Sequence, residues 1–204
     1  MEAPPSKPTA DALPARERIL NAAAQLYAVR GFEGTSMRDI AEAAGVTKPL
    51  IFYHFASKER LYASLLEEAL AACRSGGEAI LSEPMSATER LHRFLASHVQ
   101  VLRERPAVFA FAHNLLTVAY ELPLGFDYRA EGRALFDQIV RVVEEGQAQG
   151  EFRRADPEAV AVLALASLGM YAQALLIGEI AALPEALEEH LLDLLLHGIK
   201  EPAA

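Results

Sequence analysis

The sequence predicts an all-α protein, and three observations lead to this fold class. Ala (38 residues) and Leu (29 residues) are strong helix formers and make up about a third of the 204 residues. Val, Ile and Thr, which favour strands, total only 24. Apolar residues recur at helical spacing between proline and glycine breaks. We therefore expect about nine helices, in a three-helix N-terminal part followed by a larger helical bundle.

Start and stop signals place these helices in order. Residues 1–13, rich in proline, are expected to form a disordered arm. The expected N-caps are Thr35, Thr47, Ser57, Ser86 and Asp156. The expected helices span approximately 14–31, 36–44, 48–53, 57–73 or beyond (weakened by glycines at 76 and 77), 86–102, 107–120, 127–149, 156–177 and 184–198. We place the domain boundary between residues 56 and 57, giving an N-terminal segment of 14–56 and a C-terminal segment of 57–204.

Charge is unevenly distributed between these two segments. The net charge of −9 at pH 7 argues against a protein that binds nucleic acid or anionic membrane over its whole surface. Residues 1–60 contain eight Lys and Arg against seven Asp and Glu, while residues 61–204 contain 11 against 21. A neutral-to-basic N-terminal segment followed by an acidic C-terminal segment suggests that the two segments have separate roles.

Several kinds of site are excluded or disfavoured. Cys73 is the only cysteine, so no intrachain disulfide, zinc finger or iron–sulfur cluster can form. His92 and His98 lie on different faces of one helix, so we expect no metal and no other cofactor. The longest apolar run, 159–177, contains Ser167 and Gln173, and the N-terminus is polar. We therefore expect no transmembrane helix, no signal peptide and a cytoplasmic location.

Residues 35–55 carry the most informative pattern. Two short helices joined only by Gly45 and its two following residues must cross steeply, which is the geometry of a helix-turn-helix. Gly45 can adopt the left-handed conformation that ends the first of these helices. Ile40, Ile51, Phe52 and Phe55 are expected to pack inward. The N-terminal end of the second helix is then presented outwards.

The residues expected on the outside of this motif suit double-stranded DNA. Hydroxyl groups and helix N-termini bind phosphate oxygens, and Lys48 can reach either a guanine edge or a phosphate. Pro49 and Leu50 offer apolar contact to a thymine methyl group. Lys58 could instead be a solvated charge, and Arg38 could pair with an acid one helical turn away. The candidate DNA-binding residues are Thr35, Ser36, Arg38, Thr47, Lys48, Pro49, Leu50, Tyr53, His54 and Lys58.

Residues 15–62 resemble the DNA-binding domain of the tetracycline-repressor (TetR) family of bacterial transcription regulators. The matching elements, in the family's order, are 19–23, 31–32, 35–41, 45–48, 52–55 and 57–58. One position departs from the family, which usually has tyrosine where this chain has Phe52. A phosphate-directed hydroxyl is therefore missing there, and Tyr53 or His54 is left to replace it. The resemblance covers about a quarter of the chain, and the remainder resembles the family only in length and helix count.

The resemblance implies a sequence-specific transcriptional regulator and not an enzyme. It further implies a homodimeric repressor that binds a palindromic double-stranded operator and leaves it when a small molecule binds. From the aromatic residues of the C-terminal segment we expect this effector to be apolar or aromatic. A non-regulatory helical interaction protein, or less readily a helical enzyme, is the alternative.

The middle of the C-terminal segment concentrates aromatic rings with a few isolated polar groups, which is the usual lining of a small-molecule site. His113, Asn114 and Thr117 lie in an otherwise apolar stretch and are either core groups, outward-facing groups or ligand contacts. A break at 123–128 could serve as an entrance. The candidate effector-binding residues are Phe94, His98, Phe109, His113, Thr117 and Tyr171.

The last two expected helices carry apolar faces wider than one side of a small bundle needs. Pairing them with their symmetry mates would form an isologous four-helix interface. Such an interface would hold two recognition helices about one DNA turn, roughly 34–36 Å, apart. The candidate interface residues are Leu163, Ala166, Met170, Gln173, Ile177, Leu187, Leu191, Leu194 and Leu195.

Overall fold

The computed structural model describes residues 13–117 and 128–198, without the side chains of 72–78, 116, 117 and 128–131. These residues form nine α-helices and no strand, which confirms the expected fold class. Residues 1–12 of the expected arm and most of the expected break at 123–128 lie outside the described residues. The helices are α1 (Ala15–Arg30), α2 (Met37–Ala43), α3 (Lys48–His54), α4 (Lys58–Leu81), α5 (Ala87–Glu104), α6 (Pro106–Thr117), α7 (Tyr128–Ala148), α8 (Pro157–Leu176) and α9 (Leu187–His197).

The start of α2 lies one residue later than the sequence predicted. Ser36, not Thr35, is the N-cap, because its hydroxyl accepts the amide hydrogen of Asp39 at 3.2 Å. The Asp39 carboxylate in turn accepts the amide hydrogen of Ser36 at 2.9 Å, which completes a capping box. Thr35 is buried, and its hydroxyl donates to the carbonyl oxygen of Gly31 at 3.0 Å. Thr35 therefore closes the connection between α1 and α2 from the inside.

Two of the later helices begin where the sequence predicted. The Ser86 hydroxyl accepts the amide hydrogen of Glu89 at 3.1 Å and caps α5. The Asp156 carboxylate accepts that of Glu158 at 3.0 Å and caps α8. The start of α9 was expected near residue 184, but it follows Ala186, whose backbone is left-handed with φ of 52°.

Helix α4 extends beyond residue 73, as the sequence allowed, and continues to Leu81 through the glycines at 76 and 77 that were expected to weaken its end. Glycine in a helix interior costs about 1 kcal/mol relative to alanine. The far end of α4 is held by tertiary contacts, since Leu81 is buried and its carbonyl oxygen accepts a hydrogen bond from Arg90 at 3.2 Å. The chain divides inside α4 into two compact units, Met1–Glu67 (the head) and Glu68–Ala204 (the body). This division lies further along the chain than the boundary expected between 56 and 57.

In the head, α1 packs against both α2 and α3, and α2 packs against α3. Tyr62 of α4 contacts two other rings edge-on, those of Tyr27 and Phe32, each with 5.0 Å between ring centres. Gly45 has a φ of 61°, which confirms its expected role in the turn between α2 and α3. The largest buried side chains of the head are Ile19, Leu20, Ile40, Ile51, Leu61 and Leu65.

In the body, α8 packs against α6, α7 and α9, and α5 packs against α6, α7, α8 and α9. Polar contacts join the start of α5 to the C-terminal part of α7 and the residues that follow it. The Glu151 carboxylate accepts the amide hydrogens of Ala87 and Thr88, both at 3.0 Å, at the start of α5. These hydrogen bonds hold the pKa of Glu151 below its usual value. Arg90 is buried and pairs with Glu145 of α7 at 2.7 Å.

Candidate nucleic-acid interface

Helix α3 presents one solvent-facing surface, formed by Lys48, Pro49, Phe52 and Tyr53, which we call the α3 outer face. These residues share a face because they are spaced i, i+1, i+4 and i+5 along the helix. Ile51 on the opposite side is fully buried and fixes the helix to the head. Tyr53 is 82% exposed, so its hydroxyl and ring are available to a partner.

The remaining DNA-binding candidates surround this face to different degrees. Thr47 and Arg38 are exposed, while Leu50 and His54 are partly buried at the flanks of α3. The rings of Tyr53 and His54 lie edge-on with 5.3 Å between their centres. Lys58 is partly buried at the start of α4, and its ammonium group lies 4.1 Å from the centre of the Phe32 ring. This cation–π contact favours that position of the side chain.

Two sequence expectations about this site are wrong. Thr35 was a DNA-binding candidate, but it is 1% exposed and its hydroxyl is used inside the head. Phe52 was expected in the core, but 42% of its surface is exposed. Its position four residues after Lys48 could have indicated this, because residues four apart share a helix face.

A carboxylate of the chain, that of Asp39, already occupies the N-terminus of α2. The Ser36 hydroxyl and amide both bond to Asp39, and these hydrogen bonds, together with the charges of Arg30 and Arg38, lower the pKa of Asp39. The carboxylate is thus ionised at neutral pH and complements the positive end of the helix dipole. Ser36 is exposed, but its capping role limits it to the edge of any phosphate contact.

Three of the six effector candidates lie together in the body. The rings of Phe94 and His98 on α5 have centres 4.1 Å apart, and the ring of Phe109 on α6 lies edge-on to His98 at 6.3 Å. All three side chains are buried. The Nδ1 atom of His98 donates to the carbonyl oxygen of Phe94 at 2.9 Å, since a carbonyl can only accept. Burial lowers the pKa of His98 to about 4, so the ring is neutral at pH 7.

The other three candidates are more dispersed. His113 of α6 packs directly on Gly169 of α8, where an added Cβ would come within 2.0 Å of the imidazole. Burial lowers the pKa of His113 as well. Tyr171 is half-buried on α8, and the Thr117 side chain lies outside the described residues.

The interface candidates divide between the surface and the core. Leu187 and Leu191 are 1% and 8% exposed and belong to the body's own core, because α9 packs against α5 on that side. Their assignment to a dimer interface is therefore wrong. Gln173 and Leu195 are half-buried, and Val162 is an exposed residue that the sequence reading missed. The exposed residues at and near α8, together with one from α9, form a surface that we call the α8 outer face. It consists of Val162, Leu163, Ala166, Met170, Ile177 and Leu194.

By length and composition alone, α8 is long and apolar enough to cross a membrane, unlike the other helices that the structure describes. Its composition is apolar on both sides, because its inner face packs in the body while its outer face is also apolar. In the described ranges no group of three or more His, Cys, Asp or Glu side chains is arranged to bind a metal ion.

Comparison with known proteins identifies the family. Residues 19–65 match the bacterial regulatory proteins of the tetR family, and residues 84–174 match the tetracyclin repressor-like C-terminal domain. The chain belongs to the TetR family. It is a DNA-binding transcriptional regulator, and the families and relatives that it matches are regulators and not enzymes.

Individual relatives cover most of this TetR-family chain. It is 29% identical over 139 residues to the HTH-type transcriptional repressor KstR2 of Mycolicibacterium smegmatis, covering 68% of this chain and 67% of that protein. The TetR-family regulator PfmR from Thermus thermophilus superposes with a TM-score of 0.66 at 25% identity, covering 93% of this chain and 100% of PfmR. AibR, solved with isovaleryl coenzyme A and operator DNA, shares the fold with a TM-score of 0.64 at 22% identity, covering 90% and 98%.

Proposed function

We propose that this TetR-family regulator is a homodimeric repressor that binds a palindromic operator and releases it when a small apolar effector binds. The observation that carries the proposal is that one chain exposes two surfaces of different chemistry, the α3 outer face with its ammonium and phenol groups and the entirely apolar α8 outer face. In this proposal residues 14–56 bind DNA, and residues 57–204 bind the effector and form the dimer. A cytoplasmic location follows from the need to reach chromosomal DNA.

The α3 outer face would enter the major groove, which admits an α-helix. Lys48 would contact a guanine edge or a phosphate, and the Tyr53 hydroxyl would contact the flanking backbone. Pro49 adds apolar contact at the tip of the helix. The remaining proposed contacts come from residues around this face: Ser36, Arg38, Thr47, Leu50, His54 and Lys58.

The α8 outer face would be covered by the same face of a second copy. Large exposed apolar side chains of a protein in water mark a surface that a partner covers, and Leu163 and Met170 are 61% and 66% exposed. A cleft of about 820 Å³ beside this face is lined by Leu163, Leu194 and Leu195, among others. A self-complementary contact of this kind has twofold symmetry, which matches the symmetry of a palindromic operator.

The effector would bind near the aromatic cluster of α5 and α6. Phe94 and Phe109 provide apolar surface, and His98 is neutral at pH 7 because burial lowers its pKa to about 4. The Nε2 atom of His98 has no hydrogen-bond partner among the described residues, so it can accept a hydrogen bond from an effector amide or hydroxyl. A site of this chemistry suits an acyl chain or an aromatic ring better than a charged group.

DNA binding is tested first, with duplexes selected by the wild-type protein from a random library. We expect selection of a palindrome, and a binding constant that falls steeply with salt because phosphate contacts release counterions. The Lys48→Ala variant is expected to bind the selected duplex more weakly at unchanged melting temperature. Selection of no common sequence would contradict the DNA-binding part of the proposal.

Effector release is tested separately, by adding acyl coenzyme A thioesters of short and long chain, and small aromatic acids, to the preformed complex. AibR was solved with isovaleryl coenzyme A, so this compound is the first probe. We expect at least one probe to release the duplex, and His98→Phe, which removes the Nε2 acceptor, to shift the concentration required. His92→Phe, which changes a partly buried histidine of the same helix, is the matched control. If every probe leaves the complex intact, the proposal of an apolar effector is wrong.

A further inference from the structure

Phe52 differs from the other members of the α3 outer face because it has a large side chain without any polar atom. The nearby apolar side chains of Ile51 and Phe55 are buried at 0% and 4% exposure, whereas Phe52 is 42% exposed. The ring therefore lies at the border of the head's core, with a substantial part turned towards the surface on which Lys48 and Tyr53 lie. An aromatic ring in this position gains apolar contact when a partner covers it.

The chemistry of the ring restricts what that contact can be. A phenyl group cannot donate a hydrogen bond to a phosphate oxygen or to a base edge. In the major groove, the apolar group that distinguishes one base pair from the others is the C5 methyl group of thymine. Phe52 therefore has one way to contribute sequence information, which is by packing on a thymine methyl.

The position of the ring along α3 predicts where this thymine lies. Lys48 and Phe52 are four residues apart on one side of the helix, which is an axial rise of about 6 Å. Successive base pairs are about 3.4 Å apart along one strand, so for a helix that follows the groove the two side chains would address positions separated by about two base steps. Each half-site would then contain a thymine about two steps from the position that Lys48 contacts.

We propose that Phe52 is a specificity-determining residue that packs on a thymine methyl group in each half-site of the operator. This inference rests on the proposed insertion of α3 into the major groove. It assigns to Phe52 a base contact, in place of the phosphate-directed hydroxyl that a tyrosine would provide at this position.

The test uses the duplex selected by the wild-type protein and replaces each symmetric pair of thymines in turn with deoxyuridine, which lacks only the methyl group. We expect one pair to weaken wild-type binding by about fourfold per half-site, the effect of losing one buried methyl group. Phe52→Ala should bind the unmodified duplex more weakly and should no longer distinguish thymine from uracil at that pair. Phe52→Leu should retain part of the discrimination, and Val29→Ala, which changes an exposed apolar residue of α1 outside the α3 outer face, should retain all of it.

A second measurement does not depend on any variant folding correctly. The same thymine is replaced with 5-iododeoxyuridine, whose iodine occupies the place of the methyl group, and the wild-type complex is irradiated. We expect the crosslinked peptide to carry the nucleotide on Phe52.

Three results would overturn the inference: no thymine pair sensitive to uracil, full discrimination retained by Phe52→Ala, or a crosslink on a residue other than Phe52. Failure of the proposed function itself would look different. In that case the wild-type protein would select no duplex, or Lys48→Ala would bind as well as the wild type.

Discussion

The outer faces of α3 and α8 are both exposed, but they differ in chemistry. The α3 outer face combines an ammonium group, a phenol and two apolar groups on a helix of seven residues. The α8 outer face consists of aliphatic side chains and a methionine, most of them on a helix of 20 residues. Exposure therefore locates a contact surface, while the donors and the apolar area on it indicate whether nucleic acid or another protein covers it.

The largest expected effect comes from placing charge on the α8 outer face. Leu163→Glu combined with Met170→Glu should produce monomers, because two carboxylates per chain would face each other across the twofold axis. Loss of the second head removes the gain from bivalent binding, so operator affinity should fall by about 100-fold or more. Sedimentation and a titration of the selected duplex measure the two effects.

The matched control adds the same two charges elsewhere on the body, at the exposed positions Ala148 and Gln149. That variant should remain dimeric and bind DNA normally. Leu191→Glu is not a suitable probe, since Leu191 is buried and its substitution would unfold the body. A native, monomeric wild-type protein would show that the α8 outer face does not contact a second copy.

Acid should destabilise the body through His98. Burial lowers the pKa of His98 in the folded state to about 4 from 6.5, so the unfolded chain binds a proton between these values that the folded chain does not bind. Stability is thus unaffected by this group above pH 6.5 and is lost as the pH falls towards 4. Between pH 7 and pH 4.5 the loss is roughly 2 kcal/mol.

Urea unfolding of the wild type and of His98→Phe at these two pH values measures this contribution. The variant should lose less stability on acidification than the wild type does. His92→Phe serves as the control, because it changes a histidine of the same helix that is only partly buried. Equal losses in the wild type and His98→Phe would mean that His98 does not titrate as proposed.

On the α3 outer face, Lys48→Ala and Tyr53→Ala should each weaken binding of the selected duplex by about tenfold. Neither should lower the melting temperature, since both side chains are exposed. If Lys48 contacts phosphate, its loss should reduce the salt slope by about one; if it contacts a base, specificity should relax at one position. Gln25→Ala, an exposed residue of α1, should leave binding unchanged. Wild-type affinity in both α3 variants would mean that this face does not enter the groove.

The smallest expected effects come from the helix caps, and they compare the head with the body directly. Ser36→Ala removes the hydroxyl of a capping box in the head, and Asp156→Ala removes the cap of α8 in the body. Each should lower the free energy of unfolding by about 1 kcal/mol. Urea unfolding checks this, with Glu33→Ala, at an exposed position that is not a cap, as the control. Caps that contribute nothing would leave both variants as stable as the wild type.

Much of the fold was predictable because its signals are local. A hydroxyl or carboxylate at an N-cap bonds to an amide two or three residues away, so Ser86 and Asp156 mark their helix starts in the sequence itself. The turn at Gly45 is local for the same reason, since only a residue without a side chain adopts its conformation without strain. The positions of Lys48 and Tyr53 on one face follow from helix periodicity alone.

Other features depend on contacts between residues that are distant in sequence. Glu151 supplies hydrogen-bond acceptors to the start of α5, more than 60 residues earlier, and no pattern near either site predicts this. Thr35 is a residue type that often binds phosphate, but its hydroxyl donates a hydrogen bond to the carbonyl oxygen of Gly31 inside the head. Phe52 is a residue type that is usually buried, but it lies at the surface.

The apolar faces of α8 and α9 show the physical reason for this limit. Periodicity established that both helices have wide apolar faces, because apolar residues recur every three or four positions. It could not show that Leu187 and Leu191 face the body's own core while Leu163 and Met170 face outwards. The hydrophobic effect has no direction and favours any cover for an apolar side chain. The sequence alone therefore determined which faces must be buried, and only the packing of α9 against α5 decided which of them the chain buries by itself.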